Sequence, residues 1–228
     1  MNVLTIKLSK KETIVGYCYL VFQLIFLPIV ILVLAEISNR SFTETELNFA
    51  IFAVNFIATT IIFRNLIIKC GIISLQELRR TIFSALKGFG FYWLGSTLVS
   101  ILITVLSPNF QNVNDASISI LAEENYALVF IMTVLLAPIT EELLYRGLVF
   151  GSLHKKNRIL AYVLSSLFFA SLHILSYVRI YPVQTLLLCL MQYLPAGFAM
   201  AYAYEKADSI WAPILIHMTN NLIATILI

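Results

Sequence analysis

The sequence predicts an all-α protein, a polytopic bundle of about seven transmembrane helices with one amphipathic helix at the membrane surface. Of its 228 residues, 60% are apolar and only 12% are charged, and the mean hydropathy is +0.91. Soluble domains carry roughly twice that share of charged residues. Because each span takes roughly 20 residues, the bundle uses almost the whole chain. We therefore expect residues 1–228 to form a single integral membrane domain.

Long apolar runs separated by polar residues mark the spans in order along the chain. The first run follows several lysines, but it is too long for a secretion signal and lacks a small-residue cleavage site, so it predicts a retained anchor helix. Residues 65–87 mix Ile and Leu with charged side chains, the pattern of an amphipathic interfacial helix, and residues 107–125 predict the one long loop. The fourth span is overlong, which predicts a tilt or a kink. The predicted spans are residues 13–36, 47–64, 88–107, 126–154, 158–178, 182–204 and 209–228.

The basic residues predict the orientation of the bundle. If the segments alternate across the membrane, all of the 15 Lys and Arg except Arg40 and Arg179 fall on one side. The positive-inside rule then predicts a cytoplasmic N-terminus. The net charge of +3 follows from this bias and gives no indication of nucleic-acid binding.

The fourth span contains two adjacent carboxylates, Glu141 and Glu142, in an otherwise apolar run. A charge held at that depth costs several kcal/mol, which favours a role in chemistry. Arg146 follows Glu142 by one helical turn, and the simplest interpretation is an ion pair that neutralises itself inside the bundle. Pro138 lacks an N–H donor and can kink the helix, which would open a water-accessible pocket beside Glu141.

Glu141 and His173 lie equally far along the chain from a basic turn centred near Asn157. In an antiparallel hairpin of helices, equal distances bring two residues to the same depth, so these side chains are expected to face each other. A buried carboxylate near a histidine can have the proton affinity of a general base. The alternative interpretations are a structural histidine bonded to a backbone carbonyl and an ion network that only locks two helices together.

His217 and Asn221 are one helical turn apart in the last predicted span. Two hydrogen-bond donors that converge on one point can stabilise the oxyanion formed when water attacks a peptide carbonyl. The alternative for Asn221 is an interhelical hydrogen bond, a common use of Asn in membranes. Together with Glu141 and His173, these residues indicate a hydrolytic site shared by three helices.

At this point the chain resembles a known family, the CAAX protease and bacteriocin-processing (CPBP, or Abi) family of intramembrane proteases, and is similar to type II CAAX prenyl endopeptidases. The resemblance covers the C-terminal third of the chain, whereas the first 120 residues are similar only in being hydrophobic helices. Residues 126–228 are therefore expected to supply the catalytic helices. The resemblance is carried by three motifs in order: Glu141-Glu142-x-x-x-Arg146, Phe169-x-x-x-His173 and His217-x-x-x-Asn221.

The resemblance also implies a role for each motif residue. Glu141 would activate the attacking water and His173 would help to hold it. His217 and Asn221 would form the oxyanion site. The remaining motif residues would be supporting residues: Glu142, Arg146 and Phe169.

Whether a metal takes part is left open by the resemblance. A Glu, two His and an Asn are a thinner ligand set than that of a typical catalytic zinc site, which favours a metal-free glutamate mechanism without a cofactor. Zinc is the alternative, and its ligands would be Glu141, His173 and His217. The HExxH helix of soluble zinc proteases is absent from the sequence.

The expected function is that of an intramembrane endopeptidase whose partners are membrane lipid and a hydrophobic, lipidated or leader-type peptide. A chain rich in Ile, Asn and Lys is typical of an AT-rich bacterium, so the expected location is the bacterial cell membrane. The alternative function is a non-catalytic immunity or binding protein for a bacteriocin-like peptide. A small transporter is disfavoured because the sequence lacks repeated halves with matching interrupted helices. The oligomeric state is left open.

Overall fold

The structure, a computed structural model, describes residues 4–228 and confirms the all-α bundle. Within this range there are eight helices and no strand. Six of the helices are long and apolar enough to cross a membrane. The helices are α1 (Lys10–Ile37), α2 (Glu44–Ile62), α3 (Arg64–Gln76), α4 (Leu78–Leu106), α5 (Val113–Leu153), α6 (Arg158–Leu175), α7 (Val183–Ala207) and α8 (Trp211–Ile226).

Three boundaries differ from those that the sequence predicts. The segment predicted as one interfacial helix is divided: α3 is separate, whereas residues 78–87 are the first turns of α4. The predicted loop 107–125 is already helical from Val113, because the Asn112 side chain accepts hydrogen bonds from two backbone N–H groups of the first turn. The seventh predicted span forms α8, which has only 16 residues and is shorter than a typical span.

Helix α5, the overlong fourth span, is irregular along its length. Asn125 has non-helical backbone angles (φ −155°, ψ 88°) that kink the helix. Two segments have π-helical hydrogen bonding, Ile131–Leu136 and Leu143–Phe150, and they flank the short α-helical turn that carries Pro138 and the two glutamates. Such π segments are often found at functional sites, because the extra residue per turn redirects side chains.

Helix α7 is the centre of the packing. It contacts α4 and α6 over their lengths and also contacts α8, which in turn packs on the Ile131–Glu142 part of α5. The π-helical segment Leu143–Phe150 packs on α6 and is completely buried. The three helices that carry the motifs, α5, α6 and α8, thus meet beside α7. Large apolar side chains remain exposed on the outer faces of α1 and α4, as expected for surfaces that face lipid.

One end of the bundle gathers the N-terminal segment and several helix ends. The Thr5 backbone N–H donates to Asp208 Oδ1 at 2.9 Å, and the Thr5 hydroxyl bonds to the other carboxylate oxygen. Arg80 Nε donates to the Lys206 carbonyl at 2.8 Å. The ends of α7 and α4 and the start of the chain therefore lie together. The basic termini of these segments share this end, and its assignment to the cytoplasm stays a prediction.

Candidate active site

Glu142, Arg146 and His217 form the buried centre of the site. Arg146 Nη1 donates to Glu142 Oε1 at 2.8 Å, and the side chains of this ion pair are both 0% exposed. His217 Nδ1 lies 2.9 Å from the same oxygen, although His217 and Glu142 are 75 residues apart in sequence. A charge pair sealed from water needs such additional hydrogen bonds, because desolvation of the two ions is costly. The pair that the spacing predicts is thus present, and it also holds a histidine of the third motif.

Arg146 continues from this pair to the central helix. Its Nη2 donates to the Gly197 carbonyl at 3.1 Å. Gly197 is the point of closest approach between α6 and α7, since a Cβ built there would lie 2.7 Å from Ser166 Cβ and 2.9 Å from Ser166 Cα. The missing side chain therefore lets the two helices pack tightly and brings the carbonyl within reach of the guanidinium.

Phe169 packs against four of the site's side chains. The Arg146 guanidinium carbon lies 4.5 Å from the centre of its ring, a cation–π contact. The rings of His173 and His217 lie 4.8 Å and 5.5 Å away, and that of Tyr145 lies 6.1 Å away. Phe169 is 2% exposed. A single aromatic ring thus sets the spacing between groups that come from α5, α6 and α8.

His173 has a defined tautomer in this arrangement. Its Nδ1 lies 2.9 Å from the carbonyl oxygen of Phe169. A carbonyl oxygen only accepts hydrogen bonds, so Nδ1 carries the proton and the neutral ring presents a free lone pair at Nε2. On the face away from Phe169, the ring stacks on Tyr193 with the centroids 4.1 Å apart. His173 is therefore fixed on three sides and can accept a hydrogen bond from a water molecule.

Glu141 differs from its neighbour Glu142 in exposure and in bonding. Its side chain is half-buried, whereas Glu142 is sealed, so water can reach only the former. The Glu141 Oε2 atom is buried without a hydrogen-bond partner among residues 4–228, and so is the hydroxyl of Tyr145 one turn later. Within the same range, no hydrogen bond joins Glu141 to His173, and their predicted shared depth stays a prediction. An unpaired buried carboxylate oxygen is costly unless it is used, which makes Glu141 the candidate base.

Asn221 is held by α5. Its Nδ2 donates to the Thr133 carbonyl at 2.8 Å, and its Oδ1 accepts from Asn220 Nδ2 at 3.4 Å. Thr133 lies in the first π-helical segment of α5. Because an amide carries two N–H donors, one donor of Asn221 remains available to a substrate.

The metal alternative requires several ligands to converge on one point. Within residues 4–228, no group of three or more His, Cys, Asp or Glu side chains is placed to hold a metal ion. The two histidines of the predicted ligand set also use Nδ1 for bonds within the protein. Glu141, His173 and His217 therefore do not have the geometry of a metal site in this structure, and the chemistry below is that of the chain's own side chains.

Sequence reasoning missed several polar residues near the motifs. Tyr193, which stacks on His173, donates a hydrogen bond to Asp115 Oδ1 at 3.0 Å. Glu205 forms a second buried cluster at the basic end of the bundle, where it accepts hydrogen bonds from His154, Arg158 and Tyr162. No spacing signal points to these contacts, because each joins residues more than 40 positions apart.

The comparisons with known proteins cover the same part of the chain. Residues 123–223 match the family described as type II CAAX prenyl endopeptidase Rce1-like, and this range contains all three motifs. The chain is 29% identical over 213 residues to the membrane-embedded CAAX protease MroQ of Staphylococcus aureus (strain USA300), which covers 86% of this chain and 81% of that protein. It is 32% identical over 101 residues to the "Putative membrane peptidase YdiL" of Bacillus subtilis (strain 168). That match covers 44% of this chain and only 37% of the Bacillus protein.

No solved structure matches the chain. The family match and the two bacterial relatives confirm the resemblance that the three motifs predict.

Proposed function

We propose that this chain, whose residues 123–223 match the Rce1-like family of CAAX prenyl endopeptidases, is a membrane endopeptidase that uses Glu141 to activate water. Its substrate would be a membrane-associated peptide, either lipidated or of the leader type. The observation that carries the proposal is the contrast between the two glutamates. Glu142 is sealed in an ion pair, whereas Glu141 is reachable by water and keeps a buried oxygen without a partner.

The first step is the attack of water on the peptide carbonyl carbon. Glu141 accepts a proton from the water molecule as its oxygen bonds to the carbon, and the carbonyl oxygen takes up the negative charge. The Nε2 lone pair of His173 accepts the second hydrogen of that water and orients it, because the Nδ1 proton is already used on the Phe169 carbonyl. The protonated Glu141 then donates to the leaving amine nitrogen as the C–N bond breaks.

The oxyanion is stabilised from α8. Asn221 offers its second N–H, since the first is used on the Thr133 carbonyl. His217 carries a proton on Nδ1 for Glu142, so it donates through Nε2 only as an imidazolium ion. The neighbouring Glu142 carboxylate favours that ion, because opposite charges attract strongly where water is excluded. Glu142 and Arg146 thereby act as supporting residues.

The substrate class is supported by the relatives and by a groove beside the site. The family is named for prenylated CAAX substrates, and the Staphylococcus relative is named a CAAX protease. A groove of about 600 Å³ runs between α4 and α8 and begins at Asn220, next to Asn221. One wall is apolar, and the other carries the hydroxyl groups of Ser96, Ser100 and Thr104. Such a groove suits an extended hydrophobic peptide with a polar backbone.

The test is cleavage of prenylated and leader-type peptides by the purified protein in liposomes. The wild type, Glu141→Gln and the matched control Glu123→Gln are assayed together, and Glu123 lies on the exposed surface of the same helix α5. We expect the wild type and the control to cleave and Glu141→Gln to be inactive, with a loss of at least about 100-fold. A folded Glu141→Gln variant that cleaves at the wild-type rate would overturn the mechanism. No cleavage of any peptide by the wild type would instead favour the immunity or binding alternative.

A further inference from the structure

We propose that Tyr193 is a positioning residue for His173, and that a polar cap at residues 112–115 holds Tyr193 in place. The cap lies outside residues 123–223, the range that matches the family. The inference rests on the proposed function, because it concerns the histidine that orients the attacking water. It extends the site to a part of the chain that carries none of the three motifs.

The first observation is the stacking of the two rings. The centroids of His173 and Tyr193 are 4.1 Å apart with an angle of 23° between the planes, so the rings overlap nearly face to face. Phe169 covers the other side of the imidazole at 4.8 Å with a tilt of 57°. The Nδ1 bond to the Phe169 carbonyl fixes one edge of the ring. Without Tyr193, rotation of the imidazole would be limited on one side only, and Nε2 would lose its aim.

The second observation is that the Tyr193 hydroxyl is held by the start of α5. It donates to Asp115 Oδ1 at 3.0 Å and accepts from Asn114 Nδ2 at 3.1 Å. Asn112 Oδ1 lies 3.3 Å from the same hydroxyl and is a second acceptor. The ring can therefore neither rotate nor withdraw from His173 without breaking several hydrogen bonds.

The third observation is the dual use of Asn112. Its Oδ1 accepts the backbone N–H groups of Asn114 and Asp115 and so starts helix α5. Its Nδ2 donates to Gln192 Oε1 at 2.7 Å, on the residue that precedes Tyr193. The start of α5 is thereby tied to α7 through two successive residues, Gln192 and Tyr193. The residues that start the helix are thus the same ones that fix the partner of His173.

The activity test separates positioning from substrate binding. Tyr193→Leu removes the stacking and is expected to lower kcat about 10- to 100-fold while KM changes by less than about twofold. Tyr193→Phe keeps the ring and loses the hydroxyl, so it is expected to restore most of the lost kcat. Tyr202→Leu is the matched control on the same helix, since its ring contacts Phe91 and not the site. Wild-type kcat in Tyr193→Leu would overturn the proposal.

A second readout does not depend on cleavage. Diethyl pyrocarbonate modifies unprotonated imidazole nitrogens, and mass spectrometry of His173 reports how accessible its Nε2 is. We expect a severalfold faster modification in Tyr193→Leu than in the wild type and an unchanged rate in Tyr202→Leu. His154, which is buried against Glu205, is the internal reference. An unchanged rate at His173 in a folded Tyr193→Leu protein would overturn the proposal even if no substrate were cleaved.

The two readouts also separate this inference from the proposed function. Loss of cleavage in Glu141→Gln alone, with Tyr193→Leu at the wild-type rate, supports the protease and overturns the positioning role. If Tyr193→Leu does not fold, Asp115→Asn and Tyr193→Phe decide the matter, because both weaken the bond that holds the ring. A lower kcat or faster modification of His173 in both supports the proposal, and wild-type values in both overturn it.

Discussion

The Nδ1 atom of His217 lies 2.9 Å from Oε1 of Glu142, the same oxygen that accepts a hydrogen bond from Arg146. Two donors thus share one oxygen, while Oε2 of Glu142 has no hydrogen-bond partner among the described residues. The carboxylate therefore both neutralises a fully buried arginine and fixes the tautomer of a histidine on another helix. Any change at Glu142 is expected to affect the fold and the site together.

The first prediction concerns the charge of Glu142. Glu142→Gln keeps the shape of the side chain but leaves the 0% exposed Arg146 without a counter-ion, and removal of one partner of a buried pair costs about 3–5 kcal/mol. We expect a much lower free energy of unfolding, measured in detergent with a denaturant series. The control Glu123→Gln should leave that free energy unchanged. The double variant Glu142→Gln, Arg146→Met should recover part of the loss, and a double variant no more stable than Glu142→Gln would contradict this account.

The second prediction concerns Phe169, the ring that contacts four groups of the site. Phe169→Leu removes the cation–π contact with Arg146 and part of the packing, a loss of about 2–3 kcal/mol in unfolding free energy. It is also expected to lower kcat, because the spacing of His173 and His217 depends on this ring. Phe168→Leu is the matched control, since Phe168 is the next residue and is 46% exposed. Equal stability of the two variants would show that Phe169 does not organise the site.

How far the sequence predicts this molecule depends on the range of each interaction. The spans follow from apolar runs, and the Glu142–Arg146 pair follows from one helical turn, so both are local signals. The division of residues 65–87 is not local, because Arg80 reaches the Lys206 carbonyl, 126 residues away, and so stays at the membrane surface while the helix continues. The contact of Tyr193 with Asp115 joins residues 78 apart. Such contacts are set by how the helices pack, and no spacing within one segment encodes them.

The third prediction concerns the donors of Asn221. Asn221→Ala removes the amide that we assign to the oxyanion, and loss of one such donor lowers kcat by about 100- to 1,000-fold. Substrate affinity should change little, because the negative charge on the oxygen develops only in the transition state. Asn220→Ala is the control, since Asn220 bonds to Asn221 only at 3.4 Å. Steady-state kinetics in liposomes measure both constants, and a rise in KM at unchanged kcat for Asn221→Ala would place this residue in substrate binding instead.

The fourth prediction concerns the closest approach of α6 and α7 at Gly197. In Gly197→Ala the new Cβ would lie 2.7 Å from Ser166 Cβ and 2.9 Å from its Cα, and a backbone atom cannot move aside without separating the helices. Overpacking of this kind costs about 1–3 kcal/mol, and the shift would also withdraw the Gly197 carbonyl from Arg146. Gly90→Ala is the control, because among the described residues no atom lies within 4 Å of its added Cβ. Ala favours a helix by up to about 1 kcal/mol over Gly, so Gly90→Ala should be neutral or stabilising. If the clash is the cause, Ser166→Gly in the Gly197→Ala background should recover stability and cleavage together; recovery of neither would mean that the carbonyl of Gly197, and not the helix spacing, is what the site requires.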